Sequence, residues 1–587
     1  MSAGIAQRVA RRIPSWAVLP LVFVAVVAAH EPLLRLPYYW DEAGYYIPAA
    51  WDFFRSGSLI PYSTLSNAHP PVPSLYLALW WKLFHFAPLV TRVAMCFVAA
   101  LALSAVWRLA MITTARKSVA AATVLLTALY PVFFAQSSLA HADLFAAAAT
   151  LWALALFLEN RIWPAAVCFT LAALSKETAI ITPLALAVWE SWARRPRRGR
   201  MVKITVLFTP LLPLAVWYLY HWHRTGFVFG NPQYVRYNAT STLTLERVAL
   251  ALAYRVMHIA FHMNLFVPVA LMLGCLLLPP VREESETDSH AGEAASPDLP
   301  ATGRAGISAA HQAVLYVTIA ANVVLFSLVG GALLTRYLLP LYPLVLLIAV
   351  STFRRRFRDW PTLVALSAAA FVAGLFVNPP YRFAPEDNLE YVTVIRLHQA
   401  AIGEIVSRFP GATVLTAWPG SDELRKPELG YVSHPVPVVA IDNFSAPQIE
   451  KAAILRASWE AAFVFSTKYD PPHLLFSLGR RSEEWDARYF GYHRDLRPGD
   501  IARLLGGSVV WGASRKGQWA AVLRFHHDPG AREAAWPARP TNSPTPSLSR
   551  QRIGSREGNA QCNSPGSSAN PAGVPPEKRA CSEVKVL

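Results

Sequence analysis

Apolar runs separated by short polar links fill the chain as far as about residue 377. A helix of about 20 residues crosses a hydrocarbon core, and the apolar runs approach or reach that length. Membrane spans are therefore predicted over Pro14–His30, Leu89–Trp107, Ser118–Ala135, Asp143–Leu158, Trp163–Ser175, Thr178–Trp192 and Ile204–Tyr220. Leu245–Pro280 is too long for one upright helix and is split into an interfacial helix and a further span. Three more spans follow at Ala313–Val329, Tyr337–Val350 and Pro361–Val377, making eleven. Residues 281–310 have acidic and small residues without apolar periodicity, which predicts a flexible cytoplasmic loop. Beyond Asn378 the pattern becomes that of a small extracytoplasmic α/β domain, 378–525. It has an amphipathic helix over Asn388–Phe409 and buried strands near Ala412–Trp418, Pro435–Ile441 and Ala461–Ser466. Residues 526–587 are rich in Pro, Ser, Asn, Gly and Arg and predict a disordered tail.

Composition agrees with a polytopic α-helical membrane protein: 54% hydrophobic, 12% aromatic and 16% charged residues. The net charge of +17 would suit a nucleic-acid partner if it were clustered on a soluble domain. Instead Arg108, Arg116, Lys117, Arg161, the Arg194–Arg200 block and Arg354–Arg356 lie in alternate links. That distribution marks the cytoplasmic side and excludes nucleic acid as the explanation. Arg8, Arg11 and Arg12 precede the first span with no clear cleavage site after it, which reads as an uncleaved anchor with the N-terminus inside. Asp41, Glu42, His69 and the C-terminal domain then face the extracytoplasmic side of a cytoplasmic membrane. The five cysteines show no zinc or redox spacing.

The candidate chemistry gathers on that outer face. Leu36-Pro-Tyr-Tyr-Trp-Asp-Glu-Ala-Gly-Tyr-Tyr46 sets two carboxylates among interfacial aromatics, and Asn67-Ala-His-Pro-Pro71 opens an amphipathic helix too charged to span. A Lys176-Glu177 corner lies between two spans, and Arg336-Tyr-Leu-Leu-Pro340 begins another. In this order the motifs resemble the GT-C glycosyltransferases, which use polyprenyl-phosphate sugars. That superfamily includes protein O-mannosyltransferases (glycosyltransferase family 39), aminoarabinose transferases and the RgtA-like group. The resemblance implies a membrane transferase moving a monosaccharide, with inversion, from a polyprenyl-phosphate donor to a hydroxyl of a glycan, lipid or protein.

Such a transfer needs a base for the hydroxyl proton and positive charge for the departing phosphate. Asp41 is the expected base. Glu42 cannot point the same way in regular structure and is expected to orient the site, hold a cation or accept a sugar hydroxyl. Lys176 and Arg336 are expected at the donor phosphate, beside the alternative that each merely snorkels to the headgroups. His69 is expected either at the phosphate or as part of a rigid helix start. No cofactor is assigned, and Asp41, Glu42, His141 and Asp143 would suit a divalent cation if folding joined them, with Asp143 also suited to capping its helix. His258 and His262 lack the glutamate of a zinc-protease motif, and Asp422-Glu423 reads as a solvated loop. Two rival classes are an inactive scaffold with an outer partner-binding domain and a transporter; the second would place charges deep within paired, broken spans.

Overall fold

The structure is a computed structural model that describes residues 15–192, 197–230, 243–282, 306–454, 459–469 and 480–525, with positions 232, 235 and 304. The expected disordered tail and most of the expected 281–310 loop lie outside the described residues. Helices dominate, and a five-stranded sheet closes the described chain.

The helical core is built on Pro88–Thr114 and Ala142–Leu158, which are apolar all round. Ala94, Ala99, Ala102 and Ala105 on the first helix and Ala147, Ala153 and Ala155 on the second are fully buried, and such small side chains let helix backbones approach closely. Among the described residues three helices are long and apolar enough to cross a membrane: Pro88–Thr114, Gly199–Thr225 and Ala309–Leu328. A fourth is obtained if Leu245–Asn264 and Phe266–Leu276, which meet at 100°, count as one broken span. The shorter apolar helices are Val18–Leu33, Lys117–Leu129, Ala142–Leu158, Ile162–Ala173 and Trp360–Phe376.

Several expected spans are thus interrupted, and prolines account for two of the breaks. Ser118–Ala135 divides at Tyr130, which is extended (ψ 124°) before Pro131. Tyr337–Val350 starts as a 3₁₀ turn, Thr335–Leu338, and resumes helically at Tyr342 beyond Pro340. At the 100° bend, Met263 and Asn264 have φ of 48° and 65°, a left-handed conformation that ends a helix.

In the C-terminal sheet β1 (Val414–Ala417), β2 (Val438–Ile441), β3 (Ala461–Phe465), β4 (Gly507–Arg515) and β5 (Gln518–Phe525) run in the order β2-β1-β3-β5-β4. β1 pairs in parallel with β2 and β3, while β5 pairs antiparallel with β3 and β4. The Glu390–Arg408 helix buries Leu397, Ala401, Ile402 and Ile405 in the same core as β1 and β3. The expected helix and three strands are observed within a few residues of their expected bounds. The β4–β5 hairpin is additional.

The C-terminal α/β region meets the loop after the first helix directly. Tyr38 N donates to Leu429 O at 3.2 Å, and Tyr431 Oη donates to Tyr38 O at 3.1 Å. Trp418, just past the carboxyl end of β1, reaches the same loop. The carboxyl ends of parallel strands are where loops commonly build sites.

Candidate active site around Asp41 and Arg336

The chain enters the acidic loop through Trp40, whose φ of 48° is left-handed, a conformation that costs a bulky residue on the order of 1–3 kcal/mol. Asp41 then begins a helical segment whose next residues, Glu42–Tyr46, form a π-helical turn. Consecutive side chains on a helical backbone already diverge by about 100°, and single π-turns occur often at functional sites. The two carboxylates part accordingly.

Asp41 stays at the surface of the cluster with its side chain 20% exposed, and its Oδ2 accepts from Arg336 Nη2. Its Oδ1 has no hydrogen-bond partner among the described residues. Glu42 is fully buried. Its Oε1 accepts from Arg92 Nη1 at 2.6 Å and from Ala140 N at 2.5 Å, and its Oε2 accepts from Tyr39 N at 3.0 Å. Arg92 also donates to Ser138 O and Pro37 O at 2.8 and 2.9 Å. Glu42 is therefore enclosed in a network that ties the acidic loop to the Pro88–Thr114 helix and to the Ser138–Ala140 link, and every contact it makes there is structural.

Arg336 is the hub. Its guanidinium reaches Asp41, Glu386 and, through Nε at 3.2 Å, Asp143 Oδ2. Asp143 Oδ1 accepts from Lys176 Nζ. All of these groups except Asp41 are buried. Three carboxylates thus surround two cations. Burial pushes the Glu386 carboxyl up to about 8, with Arg336 opposing the rise and Asp41, Asp387 and Asp143 adding to it. Burial and the neighbouring carboxylates thus favour the protonated form of Glu386, while its pairing with Arg336 favours the carboxylate.

Tyr337 collects the cations a second time. Lys176 Nζ lies 3.7 Å from its ring centroid, Arg255 Cζ 5.7 Å and Arg336 Cζ 5.9 Å. Arg255, on the Leu245–Ala260 helix, donates to the carbonyls of Phe326 and Leu334 at 3.3 and 2.7 Å, and its buried Nη2 has no hydrogen-bond partner among the described residues. Nearby Arg247 donates to Ser327 O at 2.9 Å and to Gly330 O.

His69 is separate from this cluster. Its Nδ1 pairs with Glu177 Oε2 at 2.9 Å, under a stacked Tyr46 ring 5.9 Å away. His141 Nδ1 donates to Gln136 Oε1 at 2.7 Å, and its buried Nε2 has no partner among the described residues. Burial, reinforced by Arg336, Arg92 and Lys176, lowers His141 well below the ordinary histidine range, so it is neutral.

The expected cation set is not assembled. Asp41 and Asp143 both turn to Arg336, Glu42 turns to Arg92, and His141 turns to Gln136. Among the described residues no three His, Cys, Asp or Glu side chains are grouped to hold a metal ion. Arg336 supplies between Asp41 and Asp143 the positive charge that a metal would bring. Sequence reading missed Arg92, Glu386, Tyr337, Arg255 and Trp418. Tyr337 alone was within a quoted motif, and Arg92 and Arg255 carried a signal as charges inside apolar helices.

Residues 68–220 resemble a known family. They match the family model described as dolichyl-phosphate-mannose-protein mannosyltransferase. The chain is similar to GT-C polyprenyl-phosphate-sugar glycosyltransferases. The matched segment contains His69, Arg92, His141, Asp143, Lys176 and Glu177, while Asp41, Arg336 and the C-terminal domain lie outside it. No curated protein sequence matches the chain. Among solved structures, ArnT from Cupriavidus metallidurans in the apo state is 14% identical, with a TM-score of 0.48, over 87% of this chain and 98% of that one. The same protein bound to undecaprenyl phosphate is 15% identical, with a TM-score of 0.45, over 86% and 97%. The oligosaccharyltransferase AglB from Archaeoglobus fulgidus, in complex with an inhibitory peptide and a dolichol-phosphate, is 12% identical, with a TM-score of 0.43, over 86% and 74%.

Proposed function

We propose that the chain is a multi-pass membrane glycosyltransferase that moves a monosaccharide from a polyprenyl-phosphate donor to an acceptor hydroxyl on the extracytoplasmic face. The observation that carries this reading is a partly exposed carboxylate, Asp41, anchored through one oxygen on a buried cluster of cations at the ends of apolar helices. The family match over 68–220 supports it from the other side.

In this reading Asp41 Oδ1 accepts the proton of the acceptor hydroxyl as that oxygen bonds to C1 of the sugar. The bond from C1 to the phosphate oxygen breaks on the opposite face, giving inversion, and polyprenyl phosphate leaves as an anion. Arg336 fixes Asp41 through Oδ2, so the free oxygen keeps one direction. A base in hydrogen-bond reach contributes on the order of 10²–10⁴ in rate. The leaving phosphate needs positive charge more than a proton. Lys176, Arg336 and Arg255 converge on Tyr337 and supply it. Glu42 holds the loop through Arg92, and His69 with Glu177 braces the start of the Val72–Phe84 helix.

The test is sugar release from a panel of synthetic polyprenyl-phosphate sugars by the full-length protein in nanodiscs. Release dependent on Asp41 from at least one donor supports the proposal. A chain that binds no donor and releases no sugar is an inactive scaffold. Cysteine labelling at Asn67 should succeed only from the extracytoplasmic side; labelling from the cytoplasm would contradict the assigned face.

A further inference from the structure

Trp418 belongs to the C-terminal domain, yet its indole occupies the space beside Gly44 in the acidic loop. A Cβ at residue 44 would lie 2.6 Å from Trp418 Cζ2 and 2.9 Å from Nε1, closer than atoms approach. Trp418 stands edge-on to Trp40 with ring centroids 5.0 Å apart and lies 6.0 Å from Tyr45. Those two aromatics flank Asp41 and Glu42 in sequence. Trp40, Asp41, Tyr45 and Trp418 all keep part of their surface exposed, whereas Glu42, Ala43 and Gly44 between them are buried. Three partly exposed aromatic rings, Trp40, Tyr45 and Trp418, thus flank the segment that carries Asp41.

The charges nearby restrict what those faces accept. Burial, with the negative charges of Asp41 and Asp422 behind it, raises the Tyr45 phenol above its ordinary range. Lys426 is turned back onto Asp422 at 3.3 Å and onto Ser63 O at 3.4 Å. Lys426 is thus already engaged, and Asp41 and Asp422 give this face a negative character that disfavours an anionic acceptor. A neutral saccharide suits the surface, because the apolar C–H face of a pyranose lies against aromatic rings while one of its hydroxyls reaches a carboxylate.

We infer that Trp418, with Trp40 and Tyr45, forms the acceptor subsite of this chain, and that the subsite takes an uncharged saccharide. This rests on Asp41 being the base of the transferase proposed above. It gives the C-terminal domain a direct part in acceptor choice, because the site lacks one wall without it. Gly44 is required at its position because any side chain there pushes the indole out.

Binding and turnover test this separately. Saturation-transfer NMR on the full-length protein in nanodiscs, with maltotriose, cellotriose and mannotriose as probes and a Ser/Thr-rich peptide as control, reads the subsite without any chemistry. At least one trisaccharide should receive saturation. Trp418→Ala and Gly44→Ala should each lower its affinity about tenfold, and Trp418→Phe should restore most of it. In transfer assays the same two variants should raise the acceptor KM about tenfold and shift the donor KM less than twofold. No saccharide binding by the wild type, or equal binding by Trp418→Ala, overturns the inference even if sugar transfer occurs. A parallel rise in both KM values also overturns it, because Trp418 would then only brace the loop. Saccharide binding without Asp41-dependent sugar release would leave a saccharide-binding surface at Trp418 but sink the transferase reading, and the acceptor role with it.

Discussion

Glu42 and Arg92 form a pair whose side chains are 0% and 1% exposed, so the consequences of breaking it can be worked from the contacts. In Arg92→Met the Glu42 carboxylate keeps the Tyr39 and Ala140 amides but loses its countercharge. In Glu42→Met the Arg92 guanidinium keeps the Ser138 and Pro37 carbonyls and the Tyr38 ring 5.7 Å away, but no countercharge. Removing one partner of a buried ion pair costs about 3–5 kcal/mol, since the other charge stays buried and uncompensated. If the two losses were independent, the double variant would lose about 6–10 kcal/mol. Because each single variant strands the charge that the double removes, the double should lose little more than either single. SDS titration of the purified protein in mixed micelles measures all three. Additive losses would refute the enclosed pair. A structural Glu42 also makes a kinetic prediction: Glu42→Gln, assayed below its unfolding midpoint, should keep turnover within tenfold of wild type. A selective fall of 10²–10⁴ with unchanged stability would mean that Glu42 acts in the chemistry.

Glu386→Gln should flatten the pH dependence of donor binding. Raising pH through about 8 removes the Glu386 proton, adds a negative charge beside Arg336 and should raise the wild-type donor KM; an identical profile in the variant would exclude Glu386 as its source. The same proton links to stability: because the folded carboxyl titrates above its usual 4.5, the folded state binds more protons between 4.5 and 8, and stability should fall as pH rises across that window. Tyr337→Leu removes the ring shared by Lys176, Arg255 and Arg336 and should weaken donor binding more than it slows the bound donor's transfer; unchanged donor affinity would separate these cations from the phosphate.

The sequence disclosed elements better than connections between them. Apolar runs located the helices, but helix breaks at Pro131 and around Pro340 shorten runs that look continuous in hydropathy. The parallel strands β1 and β3 were legible as short buried runs. The β4–β5 hairpin was not assigned, although its Lys516-Gly517 turn, with φ of 50° and 85°, is the two-residue left-handed turn that joins antiparallel strands. Motif order singled out Asp41, Lys176 and Arg336, which the fold brings into one ion-pair cluster with Asp143. It left His69 and Glu42 in the same group, although each is committed to another partner. Those commitments depend on Arg92 and Glu177 meeting them across long separations, which adjacent residue types do not reveal. Glu386 and Trp418 lie beyond the last apolar run, where no local pattern links them to a loop that begins near residue 36.

Single-turnover transfer by Asp41→Asn tests the central claim most directly. Asparagine keeps the size and one acceptor oxygen but cannot take up the hydroxyl proton. With a donor that the wild type turns over, the variant should bind donor within a few fold of wild type while the transfer step slows by about 10²–10⁴. Transfer at a near-normal rate in Asp41→Asn would contradict Asp41 as the base and, with it, the site as described.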